Sequence, residues 1–272
     1  MTGPTRREFT RGAAVAAALL AAGRLPTLRA QDRTAPGPGV DGHLGPWPQK
    51  PVLGHLPHFR PVSAPFGDTY TLTYRALHWS SADEPGRHTN EPIGEVRIER
   101  RGDRTLVRQD LSYSQTRNLL EADIYGADDE PCSWTVTQRQ EGFEVPGGTV
   151  LRERGEISGD RLVIDNGSYR TEARLRNPAT TRWTVLHALQ SAPPAGVHRR
   201  VDLLDQLNLH KPDHLLAYEG EIEVATEVGP LSLAVVGQRG YGIQPIHYLI
   251  DDGGRVQLVT GGVLSWALES IT

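Results

Sequence analysis

From Asp68 onward the chain alternates apolar and polar positions in short runs parted by turn residues. A period of two marks strands with one buried face. Tyr70, Leu72, Tyr74 and Ala76 alternate with Thr71, Thr73 and Arg75. A polar loop over 80–92 follows, and then 94–101 alternates through Val96 and Ile98. Gly102-Asp103 turns the chain and 105–113 returns. The same reading predicts strands over 119–125, 133–141, 149–156, 161–165 and 169–175. Asn166-Gly167 is the strongest hairpin signal, because both residues tolerate the positive φ of a two-residue turn. Links this short favour antiparallel neighbours, hence a meander.

The period then changes. Trp183, Leu186 and Leu189 recur at helical spacing over 180–190, with Thr180 or Thr181 as cap and Pro193-Pro194 as stop. A second short helix is expected over 201–207, where Leu203, Leu204 and Leu207 would share a face. Strands resume after Lys211-Pro212, with 215–226 and 231–238 pairing across Gly229-Pro230. In the stretch 244–268 two apolar runs flank Asp251-Asp252-Gly253-Gly254, which reads as a hairpin, and a last strand follows over 263–269. The pattern predicts a mainly β chain of about a dozen strands and two short helices. So large a sheet exposes edges unless it curls or is covered. A strongly curved antiparallel sheet or open barrel is therefore expected, the helical pair covering one side.

The first 65 residues do not share this pattern. Residues 1–30 carry Arg6-Arg7, Phe9 and Arg11 before an alanine-rich run from Gly12 to Gly23, as a twin-arginine secretory signal does, with cleavage expected after Ala30. That run falls short of the ~20 residues that span a bilayer. Eight of the 20 prolines fall in 31–65, which reads as a linker or wrapping segment ahead of one β-rich domain over 66–272. The leader holds five arginines and one glutamate, so its removal takes the formal net charge from −4 to −8. An acidic domain argues against nucleic-acid partners and anionic membrane surfaces. No other run approaches transmembrane length, so no integral span is expected after cleavage, and the address is periplasmic or extracellular. Cys132 is the single cysteine, which excludes an internal disulfide, and it is expected to be buried beside Trp134.

Candidate chemistry is sparse. The densest polar cluster is Asp202, Asp205, His210, Asp213 and His214. His210 and His214 are weak metal candidates, because Pro212 breaks the helix that would align them and the zincin glutamate is missing. His43, His55 and His58 match no closed metal site. No Gly-x-Ser-x-Gly elbow exposes a nucleophile, and Ser112, Ser114, Ser158 and Ser168 sit in or beside strands. Asp251-Asp252 and Asp128-Asp129-Glu130 read as solvated turns, and Gly237–Gly242 as a bulge or corner. No metal ion or other cofactor is expected.

The order of elements resembles the LolA/LolB-like lipoprotein carriers. It rests on the meander over 68–175, the interruption over 180–207, and the returning strands with Tyr248-Leu-Ile-Asp-Asp-Gly-Gly-Arg-Val256. The resemblance implies a half-barrel, partly closed by helices, that holds acyl chains. It extends to architecture and matches no ligand residue. The expected function is a non-catalytic exported protein that binds a lipid or other apolar small molecule in its concave face. The aromatic residues expected to line that face are Tyr70, Tyr74, Trp134, Trp183, Tyr248 and Trp266. Two alternatives stand beside it: an envelope hydrolase built on the 202–214 cluster, and a structural or assembly module of the envelope.

Overall fold

A computed structural model describes residues 55–78, 92–113, 116–142, 148–261 and 264–272. The expected leader, the linker as far as residue 54 with His43, and the polar loop up to residue 91 lie outside the described residues.

The meander forms as the alternation predicts. Its strands are β1 (Thr69–His78), β2 (Pro92–Arg101), β3 (Arg104–Tyr113), β4 (Thr116–Tyr125), β5 (Ser133–Gly142), β6 (Thr149–Ser158), β7 (Arg161–Asp165) and β8 (Arg170–Arg174). After the two-residue β9 (Ala179–Thr180) comes the helix α1 (Val185–Ser191). After a 3-10 turn at Pro194–Gly196 come six strands: β10 (His198–Asp205), β11 (Leu209–Thr226), β12 (Gly229–Arg239), β13 (Ile246–Ile250), β14 (Val256–Gly261) and β15 (Leu264–Ile271). All join one 15-stranded sheet in the order β8 to β1, then β15 to β9. First and last strands thus meet at its centre, with Thr71 and Thr272 exchanging backbone hydrogen bonds beside them.

One expectation fails. Residues 201–207 are not a helix but the end of β10 and a turn. Leu203, Leu204 and Leu207 do recur at helical spacing, yet Val201, Asp202, Leu203 and Leu204 are all buried, so the strand has two covered faces and no alternation. A bulge between Val201 and Leu203 moves the register, and Gln206 and Leu207 turn the chain at φ 51° and 66°. One α-helix, not two, lies against the sheet among the described residues.

The sheet is open, curved and folded around its own apolar face. Inward positions of β1–β5, β7 and β10–β15 gather with Trp183, Val185, Leu186 and Leu189 into one buried cluster. Contact runs across the interior as well as along the ladder: Trp134 on β5 donates its indole N–H to the carbonyl of Leu207, 3.0 Å away. Gly155 on β6 makes room for that ring, since a Cβ there would stand 2.0 Å from it.

The two free edges lie close in sequence. Residues 175–178 alone separate β8 from β9. Edge strands invite unwanted pairing. Here β8 presents Arg170, Glu172 and Arg174, all exposed, and β9 is only two residues long. The link is fixed by Asp202, which accepts hydrogen bonds from Arg176 N–H, Asn177 Nδ2, His210 Nε2 and Asp213 N–H at 2.9, 2.9, 2.9 and 3.1 Å.

Candidate binding chamber

The interior of the curl is the candidate site. All six aromatic residues singled out in the sequence line it. Tyr74, Trp134, Trp183, Tyr248 and Trp266 belong to the inner cluster, and Tyr70 packs against it. Tyr74 donates to the carbonyl of Val256 at 2.9 Å and its ring centre is 6.0 Å from that of Trp266. Tyr248 donates to Gln238 at 2.8 Å. Burial pushes both phenols well above their ordinary pKa. Tyr70 stands at the rim with Phe66 against its ring and is pushed up to about 12, chiefly by burial.

The chamber is filled by α1 and the turn before it. The helix has seven residues, and Val185, Leu186, His187 and Leu189 are buried. Its leading turn is held by Thr184, whose hydroxyl donates to the Asp129 carbonyl at 2.9 Å. Its C-terminal end faces the β13–β14 turn, where a Cβ on Gly254 would meet the Gln190 carbonyl at 3.2 Å. A recess nearby, lined by Arg100, Thr105, Asp129 and Thr184 among others, has no room for a water molecule.

Beneath the helix lies a polar chain that sequence reasoning missed. Arg100 Nη1 donates to Thr105 Oγ1 at 3.1 Å, and Thr105 Oγ1 lies 3.1 Å from His187 Nε2. His187 Nδ1 lies 2.7 Å from the Tyr70 hydroxyl, which donates to Gln190 Oε1 at 3.2 Å. All four bonds are met together when Thr105 donates to Nε2 and the imidazole proton sits on Nδ1, donated to Tyr70. Burial first, and Arg100 second, depress the His187 pKa to about 3, so the ring is neutral at ordinary pH. The signal was present: Arg100 continues the inward positions Val96 and Ile98, and His187 falls between Leu186 and Leu189 on a buried helix.

The 202–214 cluster is arranged differently. Asp202 is fully buried and its hydrogen bonds go to the link between the sheet edges. Burial works to raise its pKa, but those bonds outweigh it and hold the carboxyl below its ordinary value. Asp205 lies 3.1 Å from Arg182 and 2.6 Å from Lys211. Asp213, exposed at φ 63°, pairs with Arg200. His214 is buried with Nε2 3.2 Å from the Tyr241 carbonyl, and burial lowers its pKa. His210 faces Asp202 instead, so the two imidazoles do not converge.

Three smaller expectations are corrected. Cys132 is exposed, not buried. Asp129 and Asp251 are in turns as expected but are buried. Asp129 pairs with Arg199, and Asp251 with Arg255 at 2.8 Å and Gln257 at 2.7 Å. On the outer face of β2–β5 a shallow depression of about 380 Å³ is lined by Arg97, Arg108, Glu121, Asp123 and neighbours. Comparison with protein-family models, with curated proteins and with solved structures finds no match to this chain.

Proposed function

We propose that this chain is a non-catalytic exported binding protein that holds an apolar or amphipathic ligand against the concave face of its sheet. It would work as the LolA/LolB-like half-barrels do, after export to the periplasm or cell exterior by the twin-arginine route. One observation carries the reading: the apolar interior of a single curved layer is closed by a seven-residue helix rather than by a second sheet. A helix that short has little stability of its own and depends on the surface it covers. The magnitudes favour exchange. Burying Val185, Leu186 and Leu189 contributes about 1.5–3 kcal/mol each. A sixteen-carbon chain gains about 0.8 kcal/mol per methylene, so in sum it outweighs the three side chains. On this reading the ligand enters by taking the place of α1.

The hydrolase alternative has less support, because Asp202 and His214 already serve the sheet link and the Tyr241 loop. The test is binding of the neutral dye Nile red to the purified exported protein, with displacement by lipid extracts and mass spectrometry of any co-purifying lipid. Saturable fluorescence enhancement that lipid competes away is expected. No enhancement together with no bound lipid would sink the proposal.

A further inference from the structure

The underside of α1 meets the sheet through one titratable side chain. His187 reaches two strands: its Nδ1 is 2.7 Å from the Tyr70 hydroxyl on β1, and its Nε2 is 3.1 Å from Thr105 Oγ1 on β3. The Tyr70 ring also stands edge-on to it, with ring centres 5.8 Å apart. Gln190, one turn on, accepts from the same Tyr70 hydroxyl at 3.2 Å. The rest of the hold is incomplete, because Trp183 Nε1 and Gln190 Nε2 are buried without a partner. A seven-residue helix owes its stability to such contacts rather than to its own backbone bonds.

Charge around the ring is one-sided. Thr105 Oγ1 also accepts from Arg100 Nη1 at 3.1 Å, so a protonated His187 and Arg100 would share one hydroxyl oxygen. Two cations so placed repel, and burial removes the water that would screen them. The other charged groups on the elements around α1 are engaged or exposed. In the β4–β5 turn Asp128, Asp129 and Glu130 line the recess beside Arg100, but Asp129 pairs with Arg199, and Asp128 and Glu130 are exposed. Asp251 pairs with Arg255 ahead of β14, Arg182 pairs with Asp205 ahead of the helix, and α1 itself carries no acidic residue. The Tyr70 phenol, pushed up to about 12 chiefly by burial, stays neutral.

We propose that His187 is an acid-sensitive latch on α1: its neutral ring ties the helix to β1 and β3, and taking up a proton releases the helix and opens the chamber. The use of the latch rests on the carrier reading, in which the ligand takes the place of α1, but the latch itself needs no ligand. Under the helix the ring has a pKa of about 3, and once released it returns to about 6.5, so opening α1 takes up a proton only below about pH 6.5. The opening constant is flat above that pH and rises about tenfold per unit below it, or about thirtyfold by pH 5. Acid thus speeds both entry and release of the ligand.

The test is hydrogen–deuterium exchange of the ligand-free exported protein between about pH 7.5 and pH 5, corrected for the intrinsic pH dependence of amide exchange, in wild type and in His187→Gln. In wild type the amides of 185–191 are expected to lose about thirtyfold in protection by pH 5, and to be less protected than β13 and β14 at every pH. His187→Gln, whose side chain does not titrate, is expected to flatten that profile. Should the variant not fold, the wild-type profile and its bend near pH 6.5 decide alone. Protection in α1 that does not change with pH overturns the latch. So does protection equal to that of β13 and β14 throughout, since the ring would then charge only on global unfolding. Nile red uptake is expected to be faster at pH 5 than at pH 7.5 in wild type but not in His187→Gln, and equal rates in wild type overturn the latch's role in the chamber. A pH-dependent α1 with no Nile red binding at any pH leaves the latch standing and overturns the carrier.

Discussion

The two arms of the sheet use one strand grammar for different ends. In the arm β2–β8 the inner face is apolar and the outer face is wet. Cross-strand ion pairs line that outer face: Arg104 with Asp123 at 2.7 Å, Arg117 with Asp110 at 2.6 Å, and Arg161 with Glu172 at 2.8 Å. In the other arm the strands β13 and β14 are covered on both faces. Every residue of β13 is buried, and so is β14 from Val256 to Thr260. Their outer side joins Leu77, Leu233, Leu249, Leu258 and Ala267 to Leu56 and Phe59 from the segment ahead of β1. That segment is tied down by Gln257, whose side chain exchanges hydrogen bonds with both backbone groups of Val62 at 3.1 and 2.6 Å. The first arm is a wall with a wet side, and the second is the core of the domain. If the interior takes up a ligand as proposed, the arm with one wet side and α1 are where the fold has most room to adapt.

The sharpest way to break this contrast is one charge placed on the outer face of each arm. Leu258→Asp buries an unpaired carboxylate and is expected to cost several kcal/mol, enough to unfold the domain. Leu106→Lys, on the partly exposed outer face of β3 between Glu99 and Asp123, is expected to cost less than about 1 kcal/mol. Urea midpoints decide it, and equal losses would mean the arms do not differ. At the join between the arms, Asp202→Ala leaves four donors without their acceptor and is expected to cost about 3 kcal/mol. Because this carboxyl is held below its ordinary value, its contribution is complete above about pH 4 and is lost as pH falls through the native value.

On the chamber side, His187 is neutral in the fold and charges more easily once unfolded. Stability is therefore lost from about pH 6.5 downward, reaching about 2 kcal/mol by pH 5 and continuing to the native value. His187→Gln is expected to flatten the thermal midpoint over that window, and an unchanged pH profile would count against a neutral buried ring. Smallest is Arg161→Gln on the wet face, expected to leave the urea midpoint almost unchanged because exposed ion pairs are weak.

The difference between the arms also governs what could be read from the chain. Alternation found the meander at once, because Tyr70, Leu72, Tyr74 and Ala76 have polar neighbours that face water or the rim. It failed at 201–207, where both faces are buried and Leu203, Leu204 and Leu207 imitate a helix. The aromatic lining was legible, since large apolar side chains on one face of a curling sheet must meet. The polar chain through Arg100, Thr105 and His187 was not, because it joins β2 and β3 to a helix more than eighty residues away in sequence. Asp202 stood out as part of a polar cluster, but its role as a clamp needed the fold, which brings Arg176, Asn177 and His210 around it.

The most direct test of the chamber is hydrogen–deuterium exchange over residues 183–191, with and without saturating Nile red. If a ligand takes the place of α1, the amides of 185–191 exchange faster in the bound protein, while those of β13 and β14 stay protected. Exchange in α1 that is unchanged or slower with ligand bound would contradict the account.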